Sequence, residues 1–449
     1  MKNTCTLSFV LLLAAVMLGS CAKMLDDIAP KNQIKVEMLS DSDVGKLTNG
    51  VRYRMESLVR SLWSRGDWLA ENFVSGPGFD VADVHAETQA AASAIALSDW
   101  RDCFTVLNDV NQLLVSARGD DALSVEAAGN AYFFRAWIYY NLVIRYGGVP
   151  LLRAPDSEVV PISPEEDIWN QIVADCRSAM EKLTDGNSFF YPSRDAAKLL
   201  LSRVLLWRGQ NEEAATLSGE VISSGRFALE DSSTGFANMF VNGTTSREIV
   251  FALANIRSTD YKLMYEQVND VDGSWNYSPA PKYYSGLFAD NAIHNGDIRK
   301  AATFSEADHT RIIKFPNGGN DMHQFVVNPK PANSPMVLLR LADAYLIRAE
   351  ALGMAAGKSV LQEYMQKRYD SVSIPVSMNE KQWQDLLLDE NNREFFGEGR
   401  RWFDIKRTGR TDLYDSWNGR DFLLYWPVPQ KERDIAGKDK YPQNPGYTD

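Results

Sequence analysis

The chain has 449 residues, of which 45% are hydrophobic and 24% charged, so its composition is that of an ordinary globular protein. Its 59 acidic and 47 basic residues give a formal charge of −12 at pH 7. This charge balance argues against a polyanion such as DNA or RNA as a partner.

The first twenty residues have the composition of an export signal. Lys2 is followed by an apolar run from Leu7 to Leu18, which is too short to span a bilayer. The tetrapeptide that ends at Cys21 looks like the lipobox of a bacterial lipoprotein, in which the cysteine sulfur is lipidated. Residues 1–20 are therefore predicted to be a signal peptide, and 21–40 a tether anchored through lipidated Cys21. An ordinary cleaved signal with a chance cysteine is the alternative.

Apolar residues recur at helical spacing through most of the first half of the chain. The pattern predicts helices over 44–58, 100–114, 126–145, 167–183 and 194–224. Within the last stretch, a glycine at a turn and an alanine five residues later are typical of a tetratricopeptide helix pair: Gly209 and Ala214.

A second copy of this arrangement lies late in the chain, where Leu341 to Gly357 and the helix after it again have a glycine at a turn. Helix pairs stacked side by side are therefore the predicted architecture. The helical scaffold is predicted in two parts, over 41–230 and 335–410, and 411–449 is predicted to be a C-terminal loop segment.

The region between the two scaffold parts has a different composition. Residues 231–334 are rich in Gly, Asn, Asp and Pro, and the apolar run 248–253 predicts a strand. Long loops held by a rigid scaffold commonly carry binding sites, so we expect this loop-rich region to face the ligand.

No catalytic or metal-binding pattern stands out. The four histidines form no HExxH motif, no GxSxG elbow occurs, and no glycosidase pair can be singled out among 59 acids. Asp270 and Asp272 lack the glutamate of a calcium loop. Cys103 and Cys176 could pair in an exported protein, but both lie in helical patterns, where buried free thiols fit at least as well. We predict no cofactor and no bound metal.

Four motifs, in order along the chain, resemble those of one family. The first runs from Asn130 to Leu151 and ends in GVPL, and the second is RLADAYLIRAEA, from Arg340 to Ala351. The third is REFFGEGRRWFDIKR, from Arg393 to Arg407, and the fourth combines WPVP at 426–429 with QNPGY at 443–447. With the lipobox, these motifs resemble the SusD/RagB-like outer-membrane nutrient-binding lipoproteins of Bacteroidetes.

The resemblance implies a mostly α fold, in which about four tetratricopeptide-like helix pairs cradle a loop-rich ligand region with a few short strands. It implies a protein without catalytic activity that captures oligosaccharides and sits on a SusC-like TonB-dependent transporter. Asp26 and Asp27 resemble the acidic signal that sends such lipoproteins to the outer face of the outer membrane. We therefore expect a lipid-anchored glycan-binding protein that faces the cell exterior.

Aromatic rings in irregular segments are the candidate ligand contacts, because flat rings cover the C–H faces of sugars while polar side chains bind the hydroxyls. Trp275 is the first candidate, since it follows a turn-rich stretch without helical periodicity, and Tyr277 would extend the platform. For Tyr283 and Tyr284 a core position is favoured. A second loop adds four candidates, of which the two aromatic ones fit a core position equally well: Trp68, Phe79, Asp67 and Asp80.

Three alternatives remain open. Some members of the family handle peptides, so this protein could capture peptides instead of glycans. A tetratricopeptide-type scaffold would bind only other proteins, and its loop aromatics would be buried. A surface hydrolase would release products from its substrate when pure.

Overall fold

The described part of the chain is mostly helical. The computed structural model describes residues 41–447 apart from 78–89, 156–157, 187, 242–245, 255–267, 269–274, 316–334 and 415–418. Its α-helices are α1 (Asp41–Leu62), α2 (Arg65–Leu69), α3 (Ala94–Ser116), α4 (Ala122–Tyr146), α5 (Glu165–Lys182), α6 (Arg194–Trp207), α7 (Asn211–Ser223), α8 (Ser233–Val241), α9 (Ile298–Thr303), α10 (Leu341–Ala351), α11 (Gly353–Met365), α12 (Glu380–Glu394), α13 (Arg401–Thr408) and α14 (Gln430–Ala436).

Short strands form four two-stranded antiparallel sheets within the described residues, paired β1–β5, β2–β3, β4–β7 and β6–β8. A π-helix, Tyr283–Leu287, follows β5, and two 3-10 helices, Thr411–Leu413 and Asp421–Leu424, lie near the end. The strands are β1 (Phe73–Ser75), β2 (Val149–Pro150), β3 (Ile162–Ser163), β4 (Ile249–Leu253), β5 (Tyr277–Pro279), β6 (His294–Asp297), β7 (Met336–Arg340) and β8 (Tyr369–Val372).

Four helix pairs form a continuous layer. In the order α1, α3, α4, α5, α6, α7, α10 and α11, each helix packs against the next. The pairs are α1 with α3, α4 with α5, α6 with α7, and α10 with α11. The predicted tetratricopeptide-like helix pairs with a few short strands are therefore confirmed, and so is the strand predicted over 248–253, which is β4.

Glycine marks the turn inside two of these pairs, at Gly209 as predicted and at Gly353 instead of Gly357. Gly209 has φ +71° between α6 and α7, and Gly353 has φ +66° between α10 and α11, a conformation that other residues adopt at a cost. The helix predicted to run from Leu341 through Gly357 ends earlier, because the chain turns at Gly353. Gly357 instead allows close packing, since a Cβ there would overlap the carbonyl oxygen of Ala349.

One hydrophobic core extends through the helical layer and the irregular segments, from Val44 to Val428. Cys103 in α3 and Cys176 in α5 are both buried free thiols. The sequence left open whether they form a disulfide, and in the structure they do not. None of the described helices is both long and apolar enough to cross a lipid bilayer.

A buried ion network joins the irregular segments to the scaffold. Glu394, at the end of α12, accepts hydrogen bonds from Arg340, from Arg368 Nη2 at 2.9 Å and from Arg299 Nη1 at 2.7 Å. All four side chains are at most 1% exposed. Burial alone would raise the pKa of Glu394, but Arg368, Arg340 and Arg299 hold it well below its usual range. Glu248 beside β4 pairs with two of these arginines and so fixes β4 to α12.

Candidate functional site

Pairing of β1 with β5 brings the two predicted ligand loops together. Phe73 lies opposite Pro279 and Ser75 opposite Tyr277. Beyond the strands, the Gly76 amide donates to the Asn276 carbonyl oxygen at 2.7 Å. A Cβ on Gly76 would overlap the backbone carbonyl oxygen of Trp275, so only glycine allows the first loop to lie this close to the second.

Trp275 lies at this junction with its indole half-buried. Its Nε1 donates to Ser278 Oγ at 3.0 Å, and the Arg311 guanidinium carbon lies 3.9 Å from the ring centroid. Arg311 is only 9% exposed and also pairs with Asp308, which lies 3.5 Å away. The indole is therefore oriented at its edge and supported on one face, as a fixed recognition ring requires.

Tyr277 is a core residue. Its ring stacks on Phe73 at 5.4 Å with an interplanar angle of 12°, and only 4% of the residue is exposed. Burial raises the pKa of its hydroxyl, which the nearby Arg65 partly offsets. Tyr277 therefore supports the β1–β5 junction from beneath and offers no ring surface to extend a platform beside Trp275.

Asp67 and Trp68, both in α2, are completely buried. The Asp67 carboxylate accepts from Asn72 Nδ2 at 2.6 Å and from the Gly399 amide. Burial raises the pKa of Asp67 to about 7, although these hydrogen bonds oppose the shift. This corrects the expectation of ligand contacts, because neither side chain reaches a surface: Asp67 ties α2 to the segment after α12, and Trp68 packs in the core.

The remaining predicted positions divide into two groups. Tyr283 is buried, as favoured, and Tyr284 is half-buried with its ring stacked 3.7 Å from that of His309. Phe79, Asp80 and the lipidation residue Cys21 lie outside the described residues. The contact predictions for Phe79 and Asp80 therefore stay predictions.

Two concave features escape sequence reasoning. An internal cavity of about 100 Å³ lies among α1, α4, α6, α10 and α13, lined by Trp137, Tyr140 and Arg407 among others. A wider groove of about 540 Å³, here called the α12 groove, lies between one face of α12 and the π-helix and β6. The helical spacing of polar and apolar side chains in α12 indicates one wall of this groove. The opposite wall is formed by a π-helix, which has no recognisable sequence pattern.

The described residues contain no group of three or more His, Cys, Asp or Glu side chains placed to hold a metal ion. What the junction of β1 and β5 does offer is a supported aromatic ring, Trp275, beside an arginine, Arg311. That combination suits a ligand with C–H faces and hydroxyl groups.

Comparison with known proteins gives a consistent result along the chain. The SusD family model matches residues 291–447, and a model described as starch-binding and associating with outer membrane matches residues 25–206. SusD-like protein P2 of Formosa agariphila is 26% identical over 456 residues, covering 87% of this chain and 88% of that protein.

Solved structures share the fold. A SusD superfamily protein from Bacteroides thetaiotaomicron superposes with a TM-score of 0.74 at 19% identity, covering 91% of this chain and 100% of that one. A protein described as a laminarin-binding SusD-like protein gives a TM-score of 0.71 at 20% identity, covering 90% and 99%. From the two family models and the relatives that span most of its length, the chain belongs to the SusD/RagB-like family.

Proposed function

We propose that this protein is a surface glycan-binding lipoprotein without catalytic activity. It captures oligosaccharides outside the cell and delivers them to a SusC-like TonB-dependent transporter in the outer membrane. Support comes from the family, from a structural relative described as laminarin-binding, and from a family model described as associating with the outer membrane. The predicted lipidation of Cys21 would hold the protein at that membrane.

The observation that carries the proposal is the state of Trp275. The residue is half-buried and so partly open to solvent, while Arg311 and Ser278 hold its ring in position. A ring that is already held in place loses little side-chain entropy when a sugar stacks on it. We propose Trp275 as the central contact, with Phe79 and Asp80 as further contacts from the first loop.

Substitution of Trp275 by Ala tests this site. We expect glycan affinity to fall about tenfold to thirtyfold, the loss typical of an aromatic binding residue. Tyr191→Ala is a matched control, because Tyr191 is 45% exposed and lies 3.7 Å from the Arg52 guanidinium, yet belongs to the helical scaffold. Isothermal titration calorimetry with a glycan panel that includes laminarin measures both variants.

Three outcomes would contradict the proposal. Binding of peptides without any glycan would favour a peptide-capturing member of the family. Retention of full glycan affinity in Trp275→Ala would place the site elsewhere. Release of sugar products by the pure protein would identify a hydrolase.

Delivery to a transporter needs a separate experiment. A SusC-like transporter from the same organism, expressed together with the full chain, is expected to co-purify with it from outer membranes. Cells that lack this protein should take up the bound glycan more slowly, and a transporter that purifies alone while uptake is unchanged would argue against delivery.

A further inference from the structure

The α12 groove has the size and construction of a small-molecule site. Its volume of about 540 Å³ lies within the roughly 300–1,000 Å³ of typical ligand pockets. One wall is the π-helix Tyr283–Leu287, a rare form of helix that is frequently found at functional sites. The facing wall is formed by α12, which contributes Asp389 and Arg393.

Arg393 brings a hydrogen-bond donor to the wall of this groove. It is 3% exposed, and its Nε donates to Tyr369 Oη at 2.8 Å while its Nη1 donates to the Leu287 carbonyl oxygen at 3.2 Å. Glu390 also accepts from Nε, at 3.2 Å. Among the described residues nothing accepts from Nη2, which leaves this nitrogen as the part of the guanidinium available to a ligand.

Asp389 brings an acceptor beside that donor. It lies one helical turn before Arg393 on α12, a spacing at which opposite charges usually pair. No ion pair or hydrogen bond joins Asp389 to any described residue, because Tyr369, Glu390 and Leu287 hold the guanidinium. Burial raises the pKa of Asp389, and Arg393 opposes this shift only in part.

His294, on the opposite wall, has a second unmatched donor. Asn291 Oδ1 accepts from the amides of Ile293 and His294 at 2.8 and 3.2 Å, which orients the Asn291 side chain so that Nδ2 faces His294 Nε2 at 2.8 Å. Nε2 is therefore the acceptor, and the proton of the neutral ring is on Nδ1. Nδ1 is buried and has no partner among the described residues.

We propose that the α12 groove is a second binding site, separate from Trp275, that takes one neutral saccharide unit. One sugar hydroxyl donates to Asp389 and accepts from Arg393 Nη2, while the C–H face of the sugar packs on the apolar side chains of the groove, Leu287, Ile293, Met378 and Leu386. The choice of a saccharide as the ligand rests on the proposed function. The existence of a second site rests on the shape of the groove and on its polar groups.

The charges around the groove select the neutral class. An anionic ligand would face Asp385 and Asp389, and a cationic one would face Lys282 and Arg393. A hydroxyl is both donor and acceptor. It can therefore donate to Asp389 and accept from Arg393, which lie side by side on α12 but do not pair with each other. An unpaired polar group in a shielded position is costly, and a bridging hydroxyl would relieve that cost.

The test uses the full chain with Trp275→Ala, so that binding at the proposed main site is weakened and binding in the groove is easier to detect. The probes are glucose, galactose, mannose and xylose as neutral sugars, with glucuronate and glucosamine as charged ones, followed by saturation-transfer NMR. Asp389→Ala removes the acceptor, and Met378→Trp fills the groove. Asp434→Ala, on the exposed face of α14, is the control.

We expect at least one neutral sugar to bind Trp275→Ala, and its affinity to fall tenfold or more when Asp389→Ala or Met378→Trp is added. Asp434→Ala should leave it unchanged. Circular dichroism and the unfolding midpoint check the fold of each variant, and Asp389→Asn replaces Asp389→Ala if the latter unfolds.

Several results would overturn the inference: no neutral sugar binding at tens of millimolar, equal affinity with and without the groove substitutions, or preference for glucuronate or glucosamine. Its failure differs from that of the proposed function. If long glycans bind and depend on Trp275 while the groove substitutions change nothing, only the second site is wrong. If long glycans do not bind but small neutral sugars depend on Asp389, only the proposed main site is wrong.

Discussion

Asp67 is a single buried carboxyl at the point where α2 meets the segment after α12. Burial raises its pKa to about 7 in the folded protein, from the ordinary value of 3.8 for an aspartate side chain. Between these values the unfolded chain has lost the proton while the folded one keeps it. The free energy of unfolding therefore falls as pH rises from about 4 to about 7, by on the order of 4 kcal/mol in total.

Substitution of Asp67 by Asn should remove this pH dependence. The amide keeps one acceptor for the Gly399 or Asn72 donor but cannot ionise, so we expect a variant whose free energy of unfolding changes less between about pH 5 and pH 7.5 than that of the wild type. Urea unfolding at both pH values measures this. Burial lowers the pKa of His294 to about 4, so this residue makes the free energy of unfolding rise with pH. His294 is present in both the wild type and Asp67→Asn, so its effect cancels when the two are compared. An equal slope in the two would contradict the prediction.

Sequence patterns identify exposed and buried aromatic residues unequally well. Trp275 follows turn residues and is half-exposed, as its surroundings indicate. Trp68 and Asp67 lie in a glycine-rich stretch that looks like a loop, yet both are buried because the Gly399 segment, more than three hundred residues later, packs against α2. Such a distant partner leaves no mark in the local sequence.

At the scale of elements, Gly357 allows α10 and α11 to pack closely against each other. Gly357→Ala should lower the free energy of unfolding by about 1–3 kcal/mol, because the added methyl overlaps the Ala349 carbonyl oxygen. Gly45→Ala in α1 is the matched control, since nothing lies near its Cβ position. There alanine should raise stability by about 0.5–1 kcal/mol. Urea unfolding compares them, and a neutral effect of Gly357→Ala would show that the two helices can separate.

The Glu394 network should make the largest single contribution to stability among these elements. Glu394→Gln removes the charge that Arg299, Arg340 and Arg368 share, and an uncompensated buried charge costs about 3–5 kcal/mol.

The control for this substitution is Glu213→Gln, because Glu213 pairs with Arg177 on the surface, where the two side chains are 44% and 55% exposed. We expect that change to cost less than about 1 kcal/mol. If both substitutions had similar effects in urea unfolding, the buried network would not be what holds β4 to α12.

The helices and the strand β4 could be predicted from the sequence, but the pairing of strands into small sheets could not. Helical periodicity repeats over ten or more residues, and Gly209 shows where one pair turns. By contrast, β1 and β5 have three residues each and pair across about two hundred residues, so neither has a local pattern of its own. The junction that presents Trp275, and the π-helix of the α12 groove, therefore become visible only in the folded chain.

For the whole molecule, the proposed attachment to the membrane depends on one residue, Cys21, which precedes the described residues. Cys21→Ala should release the protein from the membrane fraction and abolish labelling with a radioactive fatty acid, because the acyl chains supply the anchoring energy. Glycan affinity of the released protein should equal that of the wild type, since every proposed ligand contact lies more than fifty residues after Cys21 in the sequence. Retention in membranes without label would point to an ordinary cleaved signal and a different attachment.

The two buried cysteines have a practical consequence. Cys103 in α3 and Cys176 in α5 are both buried, and burial raises the pKa of both thiols, so neither meets a reagent nor forms a reactive thiolate in the native state. These two thiols should therefore stay reduced for as long as the helices around them stay packed. The rate at which the two native thiols are alkylated would report how often the helical layer opens, with no need to introduce another cysteine.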